Sequence, residues 1–189
     1  TLASAPLANE KHAIYVTPVT GGKNVDEAGE YIFRTANADI LAGRDLALAM
    51  IKLGYKKVGV VSATTEYTLD IKNTFEKIIK ENGGAIVTSE EFQPNTTDYR
   101  TMISKVRSAQ PQALLVLSQL GTDAAKFIKQ SRDLGFNPVL FTDFTFAVNN
   151  DAKKIVGNFD EIYFADPAYD ENSTSTREFL ATYKKLYGI

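Results

Sequence analysis

The feature that most constrains the fold is a regular alternation of short aliphatic or β-branched runs with amphipathic helical stretches. Runs typical of β-strands begin near Val58, Ala85, Gln112, Pro138 and Asp160. They follow one another at nearly even steps, close to the roughly 30 residues of a βαβ unit. The pattern predicts an α/β fold, with five parallel strands in a sheet that carries helices on both faces.

The stretches between these runs place apolar residues on one helical face. Two sets have this spacing: Ile71, Phe75, Ile78 and Ile79, and then Tyr99, Met102, Ile103 and Val106. Residues three and four apart lie on the same side of a helix, so each set predicts a one-sided helix. Glycines 83, 84 and 135 predict where two helices end, because glycine readily takes the left-handed C-terminal conformation.

The residues before Val58 predict a smaller piece. Strands are expected over 13–16 and 31–33, followed by a helix through Leu46 and Met50 that ends at Gly54. Two strands and one helix bury too little apolar surface to fold alone. We therefore expect one complete lobe and part of a second, with a final helix carrying Phe179, Tyr183 and Leu186 packed against the partial lobe.

Composition excludes several classes of function. The 189-residue chain has a formal net charge of -2 and no cysteine. The lack of clustered basic residues argues against nucleic-acid binding, and the lack of cysteine excludes disulfides, thiolate catalysis and cysteine zinc sites. The single histidine, His12, has no partner at metal-ligand spacing. No apolar run approaches the roughly 20 residues of a membrane-spanning helix.

No motif predicts an enzyme. The turn after the strand at Val58 lacks the glycine fingerprint of a dinucleotide site and the lysine of a phosphate-binding loop. We therefore expect no catalysis and no cofactor. A flavodoxin-like α/β enzyme remains an alternative because the fold alone does not exclude it.

The segments that follow the strands predict where a ligand would bind. In an open α/β sheet, ligands bind beyond the carboxyl ends of the strands. These segments, 62–67, 118–121, 142–145 and 166–167, contain hydroxyl, amide, carboxylate and aromatic groups. Such a mixture suits a small polar or zwitterionic ligand. The same residue types also cap helices and form turns, so both roles stay open at each position.

An ordered series of segments then identifies a family. The segments are residues 31–35 (YIFRT), 53–61 (LGYKKVGVV), Tyr67, Gly83-Gly84, 97–99 (TDY) and 127–135 (FIKQSRDLG). The series resembles the type I periplasmic solute-binding proteins of the branched-chain amino acid (Leu/Ile/Val-binding) family. The resemblance implies two lobes that close on a ligand, which the protein delivers to the permease subunits of an ABC transporter. It also implies a periplasmic or extracellular location, with a lipid anchor outside this sequence as one option.

The resemblance implies a division of the chain. Residues 1–55 would be a partial lobe one, 56–166 lobe two, and 167–189 a return segment to lobe one, with the return crossing at Asp166-Pro167. Members of the family extend further at both ends, so we expect this sequence to be a fragment.

The resemblance also implies the binding residues. Thr17 and Thr20 would bind the carboxylate of an amino acid, in a loop with Val19 and Gly21, and Asp143 would pair with its ammonium group. The remaining expected ligand contacts are Tyr67, Ser118, Gln119, Leu120 and Phe144. Thr68 replaces the glycine that usually follows the family tyrosine, and Asp143 matches the acidic position only within one residue. The ligand is therefore open among amino acids and related small carboxylates or amides.

A second interpretation has the same fold and a different role. The chain would be the ligand-binding sensor domain of a receptor, in which closure of the lobes signals instead of delivering a solute.

Overall fold

The computed structural model describes residues 1–157, 162–166 and 170–188. The strands are β1 (Tyr15–Thr17), β2 (Ile32–Arg34), β3 (Lys57–Ala63), β4 (Ala85–Phe92), β5 (Ala113–Leu117), β6 (Val139–Asp143) and β7 (Ile162–Ala165). Strands β3 to β7 form a five-stranded sheet in the order β4-β3-β5-β6-β7, and β1 pairs with β2 in a separate sheet. All these pairings are parallel. The predicted five-stranded parallel sheet is confirmed.

Helices connect most of the strands. They are α1 (Ala5–Glu10), α2 (Asp39–Lys52), α3 (Glu66–Glu81), α4 (Arg100–Ser108), α5 (Gly121–Asp133), α6 (Phe144–Val148), α7 (Asn150–Val156) and α8 (Thr174–Tyr187), with a 3-10 helix at Lys23–Val25. We call α1, β1, the 3-10 helix and β2 the smaller unit, and the elements from α2 to β7 the larger unit. Among the described helices, none combines the length and apolar character that crossing a membrane requires.

The core lies on both faces of the five-stranded sheet, as the sequence predicts. On one face, Val116 of β5 packs with Ile103 of α4 and Phe127 of α5. On the other, Leu115 of β5 packs with Phe75 of α3. Successive side chains of a strand point to opposite faces, so the fully buried run of β5 supplies both cores.

Local signals fix the ends of the helices that border the site. Thr65 caps α3, accepting a hydrogen bond from the Thr68 backbone N–H, and Thr68 bonds back to the Thr65 backbone. This reciprocal capping satisfies N–H groups that have no partner within the helix. Helix α3 ends before Gly83, which has φ 76° and so takes the left-handed conformation that favours glycine.

Helix α2 packs on the larger unit although it precedes residue 56. Its Leu46, Ala47 and Met50 side chains are buried in the core that contains Phe75. The chain thus joins the larger unit at the start of α2. The division of the chain at residues 55–56 stays a prediction.

The expected packing of the last helix is wrong. In the part of the chain that the structure describes, α8 has no buried residue, and Phe179 is 64% exposed. Its aromatic side chains contact each other along the helix, as at Phe179 and Tyr183. The core of the smaller unit is instead made with α1, from Ala5, Ala8, Val25 and Ile32. The expected return crossing at Pro167 lies outside the described residues.

Candidate functional site

A cleft of about 550 Å³ lies between the two units. The larger unit contributes residues that follow β3, β5 and β6, at the carboxyl ends of these strands, as expected for an open α/β sheet. The smaller unit contributes Val25 and four residues, 19–22, of a loop over residues 18–22, which we call the cleft loop. The lining residues are Thr1, Leu2, Val19, Thr20, Gly21, Gly22, Val25, Asp39, Glu66, Tyr67, Gln119, Phe144 and Thr145. The volume suits a small organic ligand.

The structure brings six of the ten expected ligand contacts together in this cleft. They are Val19, Thr20, Gly21, Tyr67, Gln119 and Phe144. The other four, Thr17, Ser118, Leu120 and Asp143, do not line it. A direct role in ligand binding stays a prediction for all ten.

Thr17 orients Thr20 from beneath the cleft loop. The Thr17 side chain is buried, and its hydroxyl donates to the Thr20 hydroxyl at 2.8 Å. The Thr20 backbone N–H donates back to Thr17 Oγ1 at 3.3 Å. This arrangement leaves Thr20 as the hydroxyl that lines the cleft, with Thr17 as its support.

Gly21 fixes the cleft loop to both units. Its carbonyl oxygen accepts hydrogen bonds from the Asp39 backbone N–H at 2.8 Å and from Arg34 Nη1 at 3.0 Å. A Cβ at this position would lie 2.0 Å from Asp39 Oδ1 and 2.7 Å from the Asn37 carbonyl oxygen. The close approach of the loop to the start of α2 therefore requires glycine.

Tyr67 and Phe144 form an aromatic part of the cleft wall. Their ring centroids are 6.4 Å apart and the ring planes are nearly perpendicular. The Tyr67 hydroxyl oxygen is buried and has no hydrogen-bond partner in the described structure. Burial raises the pKa of Tyr67, and the carboxylates of Asp143 and Asp39 raise it further. The hydroxyl therefore stays protonated and can donate.

Asp143 lies behind the lining, fully buried at the end of β6. Its Oδ1 atom accepts hydrogen bonds from the backbone N–H and the hydroxyl of Thr145, so Asp143 is the N-cap of α6. Its Oδ2 atom is buried without a partner in the described structure. Burial raises the pKa of the Asp143 carboxyl to about 6, against the opposing effect of the Thr145 hydrogen bonds.

Ser118 and Leu120 serve the start of α5 in the structure. The Ser118 hydroxyl donates to the Leu120 carbonyl oxygen at 2.7 Å and accepts from the Ala124 backbone N–H at 3.2 Å. Both hydrogen bonds of the Ser118 hydroxyl are thus made with the backbone at the start of α5. Leu120 is 48% exposed and lies outside the cleft lining.

Two carboxylates of the cleft were missed from the sequence. Asp39 begins α2 and Glu66 begins α3, so each lies at a helix N-terminus, where acidic residues are common. Glu66 falls within the segment 62–67 after β3, and that position was the signal that could have identified it. Asp39 precedes β3 in the chain, and only the packing of α2 brings it to the cleft.

The surroundings of Asp39 disfavour its charge. Burial, followed by the Asp70 carboxylate, raises the pKa of Asp39 to about 6, while Arg34 opposes the shift. The cleft lining contains no lysine and no arginine within the described residues. The cleft is therefore acidic above pH 6.

No metal centre emerges from the described residues, which contain no group of three or more His, Cys, Asp or Glu side chains able to hold an ion. The polar groups of the cleft are hydroxyls, an amide and two carboxylates. Such groups can bind a small ligand through hydrogen bonds and ion pairs.

Solved structures share this architecture. A leucine-binding protein, LivK, from Thermotoga maritima MSB8 is 24% identical, with a TM-score of 0.82 over 100% of this chain and 54% of that chain. The branched-chain amino acid binding protein LivJ from Streptococcus pneumoniae, solved with isoleucine, is 21% identical, with a TM-score of 0.79 over 100% and 54%. A solute-binding protein of an ABC transporter from Rhodopseudomonas palustris HaA2, solved with p-hydroxybenzoic acid, is 19% identical, with a TM-score of 0.80 over 97% and 51%.

These likenesses show the type I periplasmic-binding-protein fold, and this chain spans about half the length of the solved chains. The sequence also matches the family model described as periplasmic binding protein over residues 1–189. The chain thus belongs to the periplasmic binding protein family.

Proposed function

We propose that the protein is the ligand-binding part of an extracytoplasmic solute-binding protein of an ABC transporter, and that it binds a small amino acid in its cleft. The observation that carries the proposal is the cleft itself, which both units line with hydroxyl, amide, aromatic and carboxylate groups. A ligand held between two units can couple its binding to their closure. Closure then presents the loaded protein to the permease subunits.

The charge of the cleft favours an amino acid over an aromatic acid. At neutral pH, an amino acid carries an ammonium group that can pair with Asp39 and Glu66. A benzoate would add a third negative charge beside these two carboxylates, and the described lining has no lysine or arginine to balance it. The ammonium partners in this proposal are Asp39 and Glu66. Asp143 is not a partner because its side chain is fully buried and does not line the cleft.

The other end of the ligand meets neutral donors. The Thr20 hydroxyl and the Gln119 amide can donate hydrogen bonds to a carboxylate. Tyr67 and Phe144 then offer apolar surface to an aliphatic or aromatic side chain of the ligand.

The test is a thermal-shift screen at pH 7.5 against the standard L-amino acids and 4-hydroxybenzoate, followed by calorimetric titration of the compounds that respond. A ligand at about 100 times its Kd stabilises the protein by about 2.7 kcal/mol. Asp39→Asn and Glu66→Gln should each weaken amino acid binding about tenfold, since each removes a charged partner. Asp45→Asn, on the exposed face of α2, is the matched control.

A response to 4-hydroxybenzoate without a response to amino acids would contradict the amino acid assignment and leave a solute-binding role. A response to neither class would contradict the proposed function.

A further inference from the structure

The contact between the two units extends beyond the cleft to a buried carboxylate on α3. Asp70 is 6% exposed, one turn beyond the cleft residue Glu66. Its Oδ2 atom accepts a hydrogen bond from the Lys23 backbone N–H at 3.3 Å, and its Oδ1 atom lies 3.7 Å from Lys23 Nζ. Among the described residues, both polar contacts of this carboxylate are thus made with Lys23 of the smaller unit.

The position of Lys23 connects this contact to the ligand site. Lys23 directly follows the cleft loop and begins the 3-10 helix of the smaller unit. Two residues earlier in the chain, the Gly21 carbonyl oxygen accepts a hydrogen bond from the backbone N–H of Asp39 in α2. The cleft loop is therefore fixed to the larger unit at Gly21 and again at Lys23. Gly22 lies between these two points, and Thr20 and Val19 lie directly before them. All three residues line the cleft.

We propose that Asp70 is a positioning residue that holds the cleft loop over the ligand by binding the Lys23 backbone. It touches no ligand itself, since it is absent from the cleft lining. The backbone hydrogen bond carries most of this effect because its acceptor is a buried carboxylate. The Lys23 side chain is 60% exposed, so its ion pair with Asp70 is screened by solvent and contributes less.

Two substitutions separate the hydrogen bond from the charge. Asp70→Asn keeps an oxygen that can accept from the Lys23 N–H and removes the charge, whereas Asp70→Ala removes both. A matched control is Glu91→Gln, which neutralises the ion pair between Lys72 of α3 and Glu91 of β4, 2.5 Å apart within the larger unit. This control changes the charge beside α3 without a contact to the smaller unit.

The first readout needs no ligand. Hydrogen–deuterium exchange of peptides covering residues 18–25 should become about tenfold faster in Asp70→Ala, as expected for the loss of a hydrogen bond to a charged acceptor. Asp70→Asn should show a smaller change and Glu91→Gln none. Unchanged exchange over residues 18–25 in Asp70→Ala, with the protein still folded by circular dichroism, would overturn the proposal. A uniform increase across the larger unit as well would assign Asp70 to general stability and also overturn it.

The second readout rests on the proposed function and uses L-isoleucine as the probe. Asp70→Ala should weaken its binding about tenfold, with partial rescue in Asp70→Asn and full affinity in Glu91→Gln. Equal affinities of wild-type protein and Asp70→Ala would refute a positioning role for ligand binding and leave the proposed function intact. If the wild-type protein binds no amino acid, the proposed function fails, while the exchange experiment still decides whether Asp70 holds the loop.

Discussion

The rings of Tyr67 and Phe144 meet edge to face, with centroids 6.4 Å and planes 87° apart. Tyr67 lies in the first turn of α3, which follows β3, and Phe144 begins α6 directly after β6. The contact joins two segments at the carboxyl edge of the sheet and gives the cleft an apolar wall. The Tyr67 hydroxyl and Asp143 Oδ2 are buried there without partners in the described structure. Of the two residues, only Tyr67 lines the cleft.

The Tyr67 hydroxyl is expected to lower the stability of the ligand-free protein and to raise its affinity for the ligand. An unpaired buried hydroxyl loses its bonds to water, so Tyr67→Phe should stabilise the ligand-free protein by about 1 kcal/mol. It should weaken amino acid binding about tenfold if the hydroxyl donates to the ligand. Urea denaturation and calorimetric titration measure the two effects.

Tyr99→Phe is the control for this prediction. The Tyr99 hydroxyl oxygen is also buried without a partner in the described residues, but Tyr99 packs on Phe92 and Phe127, away from the cleft. The control should be stabilised without a change in affinity. Equal affinities in wild-type protein, Tyr67→Phe and Tyr99→Phe would contradict a ligand contact of Tyr67.

Asp143→Asn should change the pH dependence of stability. Burial raises the pKa of Asp143 from 3.8 to about 6, so the folded protein holds this proton more tightly than the unfolded chain. The resulting penalty is absent below pH 3.8, grows as the pH rises from 3.8 to about 6, and is complete above pH 6. Each pKa unit corresponds to about 1.4 kcal/mol, so Asp143→Asn should be more stable than wild type by roughly 3 kcal/mol at pH 7.5.

Urea denaturation between pH 4 and pH 8 measures this effect. The advantage of Asp143→Asn should shrink toward zero at pH 4. Asp133→Asn, which removes an exposed carboxylate paired with Lys129, should change stability by less than about 1 kcal/mol. A constant difference between Asp143→Asn and wild type across this range would show that the carboxyl does not titrate as stated.

The sequence predicts those parts of the fold that depend on local patterns of residues. The βαβ spacing predicts five strands because each crossover needs a helix of similar length, and all five occur near the expected starts. Glycines 83 and 135 follow helices α3 and α5 with positive φ, as their sequence context predicts. These features depend on residues close together in the chain.

The remaining features depend on partners that are distant in sequence. The amphipathic pattern of α2 predicts a buried face but does not name its partner, and Met50 packs with Phe75 of the larger unit. The pattern of α8 likewise predicts an apolar face, which stays exposed at Phe179 in the described structure. At the cleft, Asp143 is buried while its neighbour Phe144 lines the cavity. The sequence alone does not predict which of two adjacent residues faces the ligand.

Amino acid affinity should fall as the pH is lowered through 6. Asp39 has its pKa raised to about 6 by burial and by Asp70, so acidification neutralises it while an amino acid keeps its ammonium group. Between pH 7.5 and pH 5, we expect about a tenfold loss of affinity in wild-type protein, as for the loss of one charged partner. Calorimetric titration should show a flatter profile in Asp39→Asn. A profile as steep in the variant as in wild type would assign the titration to another group.

Ser118→Ala separates a capping role from a ligand contact. The Ser118 hydroxyl is bonded to the Ala124 N–H and the Leu120 carbonyl oxygen, so its loss should cost about 1 kcal/mol of stability. Affinity for an amino acid should stay within twofold of wild type, which corresponds to a change of at most about 0.4 kcal/mol in binding free energy. Ser108→Ala, at the exposed end of α4, should change neither quantity. A loss of affinity in Ser118→Ala without a loss of stability would favour a direct contact with the ligand.

Gly21 and Gly22 are adjacent in the cleft loop and differ in how closely the larger unit approaches them. A Cβ at Gly21 would collide with Asp39 Oδ1 and the Asn37 carbonyl oxygen, whereas the nearest atom to a Cβ at Gly22 is Glu66 Oε1 at 3.7 Å. Gly21→Ala should therefore displace the loop from α2, loosen the hydrogen bonds to the Gly21 carbonyl, and weaken amino acid binding at least about tenfold. Gly22→Ala keeps an ordinary van der Waals contact and should bind within about threefold of wild type. Calorimetric titration of both variants, with exchange over residues 18–25, makes the comparison. If the two alanine variants bind alike, the approach of the loop to Asp39 does not set affinity.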